Sequence, residues 1–291
     1  MPTQNAPIQR AALVLTRGPL GPNAWGFGVA AIVATLSTAI VLCGCGPQTG
    51  PIGAASTSGG QASESAYRPP PSVLAAQHTA NGVVVLVGRA DAGDRVRLAA
   101  STGARTPAVT DGRGGWRARL APAGEVRLFG LAAFGQGRTV QAQGYLAVTP
   151  DGLVAQLRAG AGAEVLRPGP PLRILAVDYD RKGGAVVSGA DRPGATVALS
   201  ADGLQRGRIA VNHDGRFAMA LDEPLAPGPH RIEADDGGAR AAVSLSVTPA
   251  APLTGGPFRA GREAGGWRID WLTPGGGGQT TFLFASKEGP A

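Results

Sequence analysis

Shifted against itself by 101 residues, the chain lays Gly88 on Gly189, Gly93 on Gly194, Val96 on Val197, Leu98 on Leu199, Trp116 on Phe217 and Leu120 on Leu221 without a gap. Further on, Val148-Thr149-Pro150 answers Val247-Thr248-Pro249 at an offset of 99. Two copies of one domain explain both offsets.

Within the second copy, apolar residues alternate with polar ones in short runs: Leu172 to Tyr179, Ala185 to Gly189, Thr196 to Ser200, Arg208 to Val211, Phe217 to Leu221, Arg231 to Ala234 and Val243 to Val247. Period-two alternation is the mark of half-buried strands. Between the runs stand Pro193-Gly194, Asp202-Gly203, Asp214-Gly215, Pro227-Gly228 and Asp236-Gly237, where glycine supplies the positive φ of tight turns. No part of the chain after residue 72 shows a sustained helical stripe, so the expected class is all-β, with two tandem β-sandwiches. Both cysteines, Cys43 and Cys45, lie far upstream of the repeats, so neither a disulfide framework nor a thiolate metal site can hold the sandwiches together.

Upstream, Arg10 and Arg17 precede an uncharged apolar run from Val29 to Leu42 that ends in Leu42-Cys43-Gly44-Cys45. This resembles the lipobox of bacterial lipoproteins, in which a hydrophobic residue three before the cysteine and a small one just before it fit the signal peptidase. The resemblance implies removal of residues 1–44 as a helical signal segment and acylation of Cys45, palmitate included. Gly46 in place of Asp implies sorting to the outer membrane, facing the periplasm. The alternative is an uncleaved signal-anchor helix in the inner membrane, since Ala24 to Cys43 approaches the roughly 20 residues that span a bilayer. Residues 45–72 are poor in large apolar side chains and read as a flexible tether, stiffening at Arg68-Pro69-Pro70-Pro71.

Gly189, Pro193-Gly194-Ala195-Thr196-Val197, Asp214-Gly215-Arg216-Phe217 and Leu225-Ala226-Pro227-Gly228-Pro229-His230 resemble the bacterial Ig-like domains of envelope and surface proteins. The resemblance implies modules that space, present or bind and seldom catalyse. It covers residues 171–250 well and 73–150 less closely. Between these two Ig-like domains, residues 151–170 read as a semi-flexible linker. After them, residues 251–291 hold a further linker and a C-terminal β-hairpin.

With the signal removed, 25 basic residues face 20 acidic ones. The excess is concentrated in the first copy, with nine arginines against four acids. Because Val96, Leu98, Trp116, Leu120, Val126 and Leu128 take inward positions on the alternation, Arg95, Arg97, Arg117, Arg119 and Arg127 are expected to point outward as a basic face. Such a face suits lipopolysaccharide phosphates, anionic cell-wall groups or an acidic envelope protein. The plainer reading is a set of solvated strand positions. Nucleic acid is not an expected partner of an exported chain, despite the pI of about 10.4.

In the C-terminal hairpin, Trp267, Ile269 and Trp271 share one face, with Phe282 and Phe284 expected across from them. This unit is too small to fold alone. It either docks on its own chain or forms a ledge for a glycan or partner. Asp178-Tyr179-Asp180 and Asp235-Asp236 are similar to acidic clusters that hold calcium between tandem sandwiches, but solvated loop carboxylates are the better reading of them. The three histidines show no metal spacing, and no motif of a serine, metal or phosphate-loop enzyme occurs. The expectation is a non-catalytic, lipid-anchored envelope protein without cofactor or metal. A small envelope hydrolase or carbohydrate-active protein, and an accessory subunit using the hairpin, are the alternatives.

Overall fold

A computed structural model describes residues 67–166 and 172–285, all within one compact unit. The signal segment, Cys45 and most of the tether lie outside the described residues. No helix occurs among the described residues.

The first copy is a sandwich of two antiparallel sheets. One has the order β1-β2-β5, from β1 (Ser72–His78), β2 (Val84–Arg89) and β5 (Gly115–Leu120). The other contains β3 (Arg95–Ala100), β4 (Arg105–Val109), β6 (Arg127–Gly135), β7 (Arg138–Gln141) and β8 (Tyr145–Val148). The second copy repeats this plan. Strands β11 (Arg173–Asp180), β12 (Ala185–Ala190) and β15 (Arg216–Ala220) face β13 (Thr196–Ala201), β14 (Leu204–Ala210), β16 (Gly228–Asp235) and β17 (Arg240–Val247). In each copy three strands of one sheet face a second sheet of four or five strands through sheet-switching connections, an Ig-like sandwich.

The repeated residues have repeated jobs. Gly88 pairs with Trp116 across strands, and Gly189 with Phe217. A side chain on either glycine would collide with that aromatic ring and with a carbonyl of the neighbouring strand, Ser72 or Arg173. Even a β-bulge is duplicated, between Val73 and Ala75 in β1 and between Ile174 and Ala176 in β11. The change of offset from 101 to 99 also has a location. Pairing of β6 with β7 (Ala132↔Gln141) and with β8 (Phe129↔Leu146) differs in register by two residues, whereas β16 pairs with β17 without interruption. Two extra residues in the first copy are taken up around Ala142–Gly144, where Gly144 has φ 70° and no space for a side chain against the Leu157 carbonyl.

Residues expected in the linker join the fold. Strands β9 (Val154–Leu157) and β10 (Glu164–Val165) extend the larger sheet of the first sandwich beyond β8. The C-terminal segment forms three strands, β18 (Phe258–Glu263), β19 (Gly266–Leu272) and β20 (Gly278–Phe284), and β20 pairs antiparallel with β11. The second sandwich thereby gains a six-stranded sheet of order β15-β12-β11-β20-β19-β18.

Three apolar cores result. One fills the first sandwich around Leu86, Leu98, Trp116 and Leu131, and one fills the second around Val187, Leu199, Phe217, Ile232 and Phe282. The third lies between the sandwiches, where Leu128, Ala147, Ala155 and Leu157 of the first meet Leu175, Ile269, Trp271 and Leu283 of the second. Strands next to this third core are buried on both faces, which is why Leu146-Ala147-Val148 and Ile174-Leu175-Ala176-Val177 run apolar without alternation.

Candidate functional site

Arg68, expected in the tether, is drawn into the first sandwich. Its Nε donates to Asp91 at 2.7 Å, Nη1 donates to the Gly135 carbonyl at 2.6 Å and Nη2 donates to Asp94. Only 8% of the side chain is exposed. Glycine at 135 is required because a Cβ there would strike Asp94.

The five arginines expected to form a basic face are divided. Arg117 and Arg119 alternate on β5 with Trp116, Ala118 and Leu120 of the core, and stand exposed on the outer side of the three-stranded sheet. Arg95 and Arg97 alternate with Val96 and Leu98 on β3, which places them on the outer side of the opposite sheet. Arg97 lies 4.3 Å from the Phe134 ring centroid. Arg127 corrects the outward assignment: it shares its strand face with Phe129, Leu131 and Ala133 of the first core, while Val126 and Leu128 face the core between the sandwiches. Its guanidinium lies 5.5 Å from the Phe129 ring centroid, and burial lowers its pKa.

The C-terminal aromatics also differ from expectation. The connection 273–277 has an odd number of residues, so odd positions of β19 face odd positions of β20: Trp267 pairs with Leu283, Ile269 with Thr281 and Trp271 with Gln279. Phe282 and Phe284 therefore lie on the opposite side of the sheet, in the core of the second sandwich. Ile269 and Trp271 are buried between the sandwiches. Trp271 meets Tyr145 of the first sandwich edge-on, with centroids 5.8 Å apart. Trp267 is partly exposed and donates through Nε1 to Asp151 at 3.1 Å, which also accepts from Arg262 at 2.9 Å. Burial raises the Asp151 pKa, but bonds from Thr149, Trp267 and Arg262 outweigh it and leave the carboxylate below its ordinary value.

A polar chain crosses the same boundary. Trp271 Nε1 donates to Thr281 Oγ1 at 3.0 Å, and Thr281 donates to Asp178. The Asp178 carboxylate also accepts from the Ala163 amide at 2.6 Å and from Gln279 Nε2 at 3.3 Å. Gln279 in turn accepts from the Gly160 amide at 3.3 Å. Burial pushes the Asp178 pKa up to about 6, the hydrogen bonds offsetting only part of the cost. Asp180 caps its own turn through the Lys182 and Gly184 amides, and Asp236 accepts from Gly238, Ala239 and Arg192. These carboxylates are committed to separate partners. Among the described residues no cluster of three metal-ligating side chains occurs.

Beside β1 runs a groove of about 800 Å³. Leu74–Gln77 form one wall, Val165 and Leu166 the floor, and turns of the second sandwich carrying Arg192 and Asp214 the other wall. Glu164 is held by Arg216 at 2.6 Å. The Asp191 carboxylate has no exposed surface and lies 4.0 Å from Arg192 Nε.

The site and the strand order together define an all-β pair of Ig-like sandwiches fused through a shared core. No family model and no curated protein matches the chain. Among solved structures it is similar to the BSP domain of a biofilm-associated protein, at 14% identity over 62% of this chain and 30% of that one, with a TM-score of 0.24. It is also similar to the central fibronectin-III array of RIM-binding protein, at 11% identity over 74% of this chain and 89% of that one, with a TM-score of 0.24. A third is invasin, a bacterial integrin-binding protein, at 15% identity over 74% of this chain and 54% of that one, with a TM-score of 0.21. At these scores the fold assignment stands on strand order and register, and no function transfers.

Proposed function

We propose that the protein is a lipid-anchored component of a bacterial envelope, held through acyl groups on Cys45 at the outer membrane and facing the periplasm, where it acts as a non-catalytic binding module. The observation that carries the binding-module reading is the core between the sandwiches, which joins them into one packed unit able to present a continuous surface. The lipobox resemblance and the composition of residues 45–66 supply the anchor and the reach. Stable attachment takes at least two acyl chains, as a lipoprotein cysteine carries. Labelled palmitate entering the wild type but not Cys45→Ala, with the variant released from membranes, is the expected result. Equal membrane attachment of both would defeat it.

Exposed Arg117 and Arg119 favour an anionic ligand on the outer side of the three-stranded sheet. Changing both to serine is expected to reduce binding to vesicles containing anionic phospholipid at low salt, with circular dichroism unchanged. A hydrolase would draw on the carboxylates of the groove. Against it, Glu164 is ion-paired and the Asp191 oxygens are sealed from solvent, which among the described residues leaves the exposed Asp214 without a second free carboxylate to work with it in the groove.

A further inference from the structure

The two copies treat one edge differently. In the second, the edge of β11 is occupied: Ala176–Asp180 pairs antiparallel with Gln279–Leu283 of β20. Shifted by 101, the same positions in the first copy are Ala75–Thr79. There β1 pairs with β2 on one side, and among the described residues no strand pairs with its other side. This open edge is the wall of the groove, and Leu74 is 53% exposed beside it.

An unpaired strand edge presents a row of main-chain donors and acceptors to any extended segment that can approach it. Among the described residues the groove leaves that approach open, and its volume falls within the range of ligand sites, roughly 300–1,000 Å³. We infer that the β1 edge at Leu74–His78 is a strand-addition site for an extended segment of another polypeptide, running antiparallel to β1 as β20 runs along β11. Small Ala75 and Ala76 leave room for bulky apolar side chains opposite, whereas Gln77 suits a hydroxyl or amide side chain. The flanking charges Arg216 and Glu164 already neutralise one another, which favours an uncharged strand. β20 itself has this character, with Gln279, Thr280 and Thr281 followed by Phe282, Leu283 and Phe284. The inference does not depend on the membrane anchor.

The probe is a fluorescent synthetic peptide with the sequence of residues 278–284, added to the full chain in detergent and followed by anisotropy. Two further peptides carry N-methyl groups on alternate residues, one set on odd and one on even positions. Because only every second amide of an added strand faces its neighbour, one set is expected to weaken binding by at least about tenfold and the other to leave it within about threefold. A photo-crosslinking version is expected to label residues 74–78. Equal effects of the two N-methylated sets, labelling at β5 or β11, or no saturable binding up to about 1 mM, would each overturn the site. Concentration-dependent self-association of the full chain that the peptide dissolves would show that the strand comes from a second copy, overturning the assignment to another polypeptide.

Discussion

Asp178 couples the stability of the fold to pH. Its carboxyl holds its proton up to about pH 6 when buried, against 3.8 for the ordinary group, so between those values the folded state binds more protons than the unfolded one. Its contribution is therefore complete below about pH 4 and is lost as pH rises through about 6, a change of about 3 kcal/mol. Urea midpoints of the wild type and Asp178→Asn compared from about pH 4 to pH 7 should show the wild type losing ground by that amount, and a pH-independent difference would refute it. Gly88 and Gly189 carry a second prediction. Adding a methyl group at either forces an aromatic ring and a backbone carbonyl aside, so Gly88→Ala and Gly189→Ala should each destabilise by about 1–3 kcal/mol in chemical denaturation. Arg68→Ala should lower the melting temperature more than Arg117→Ala, because it leaves the buried Asp94 without its counter-charge.

At the level of the strand, alternation in the sequence identifies the elements of the second sandwich and the inward residues of β3, β5, β12 and β13. It fails where a strand is buried on both faces. Val126 and Leu128 look inward because they are apolar, yet they face the second sandwich, and Arg127 between them lies on the side of Phe129. Parity across β19 and β20 depends on whether the connection holds an odd or even number of residues, and a run of four glycines leaves its strand ends undefined in sequence. The contacts of Arg68 and Asp178 join residues far apart in the chain, and no local pattern announces them. The unbroken apolar runs at Leu146–Val148 and Ile174–Val177 were the available sign of a third core. Trp271 is the largest side chain in it, and Trp271→Ala should cost about 3–5 kcal/mol by equilibrium unfolding.

Across the whole molecule, the third core makes the sandwiches energetically dependent on one another. Calorimetry should therefore find one cooperative transition, with calorimetric and van't Hoff enthalpies in agreement, and Trp271→Ala should separate it into two. A fragment starting at residue 172 exposes Leu175, Ile269, Trp271 and Leu283 together, and should self-associate in size-exclusion chromatography where the longer chain does not. The Arg68 clamp adds a mechanical consequence. Tension applied to the chain upstream of residue 67 reaches the guanidinium before the first strand, and passes from there into the loops at Asp91, Asp94 and Gly135. The load is spread over two sheets at once, so the β1–β2 ladder is shielded from being peeled open one hydrogen bond at a time.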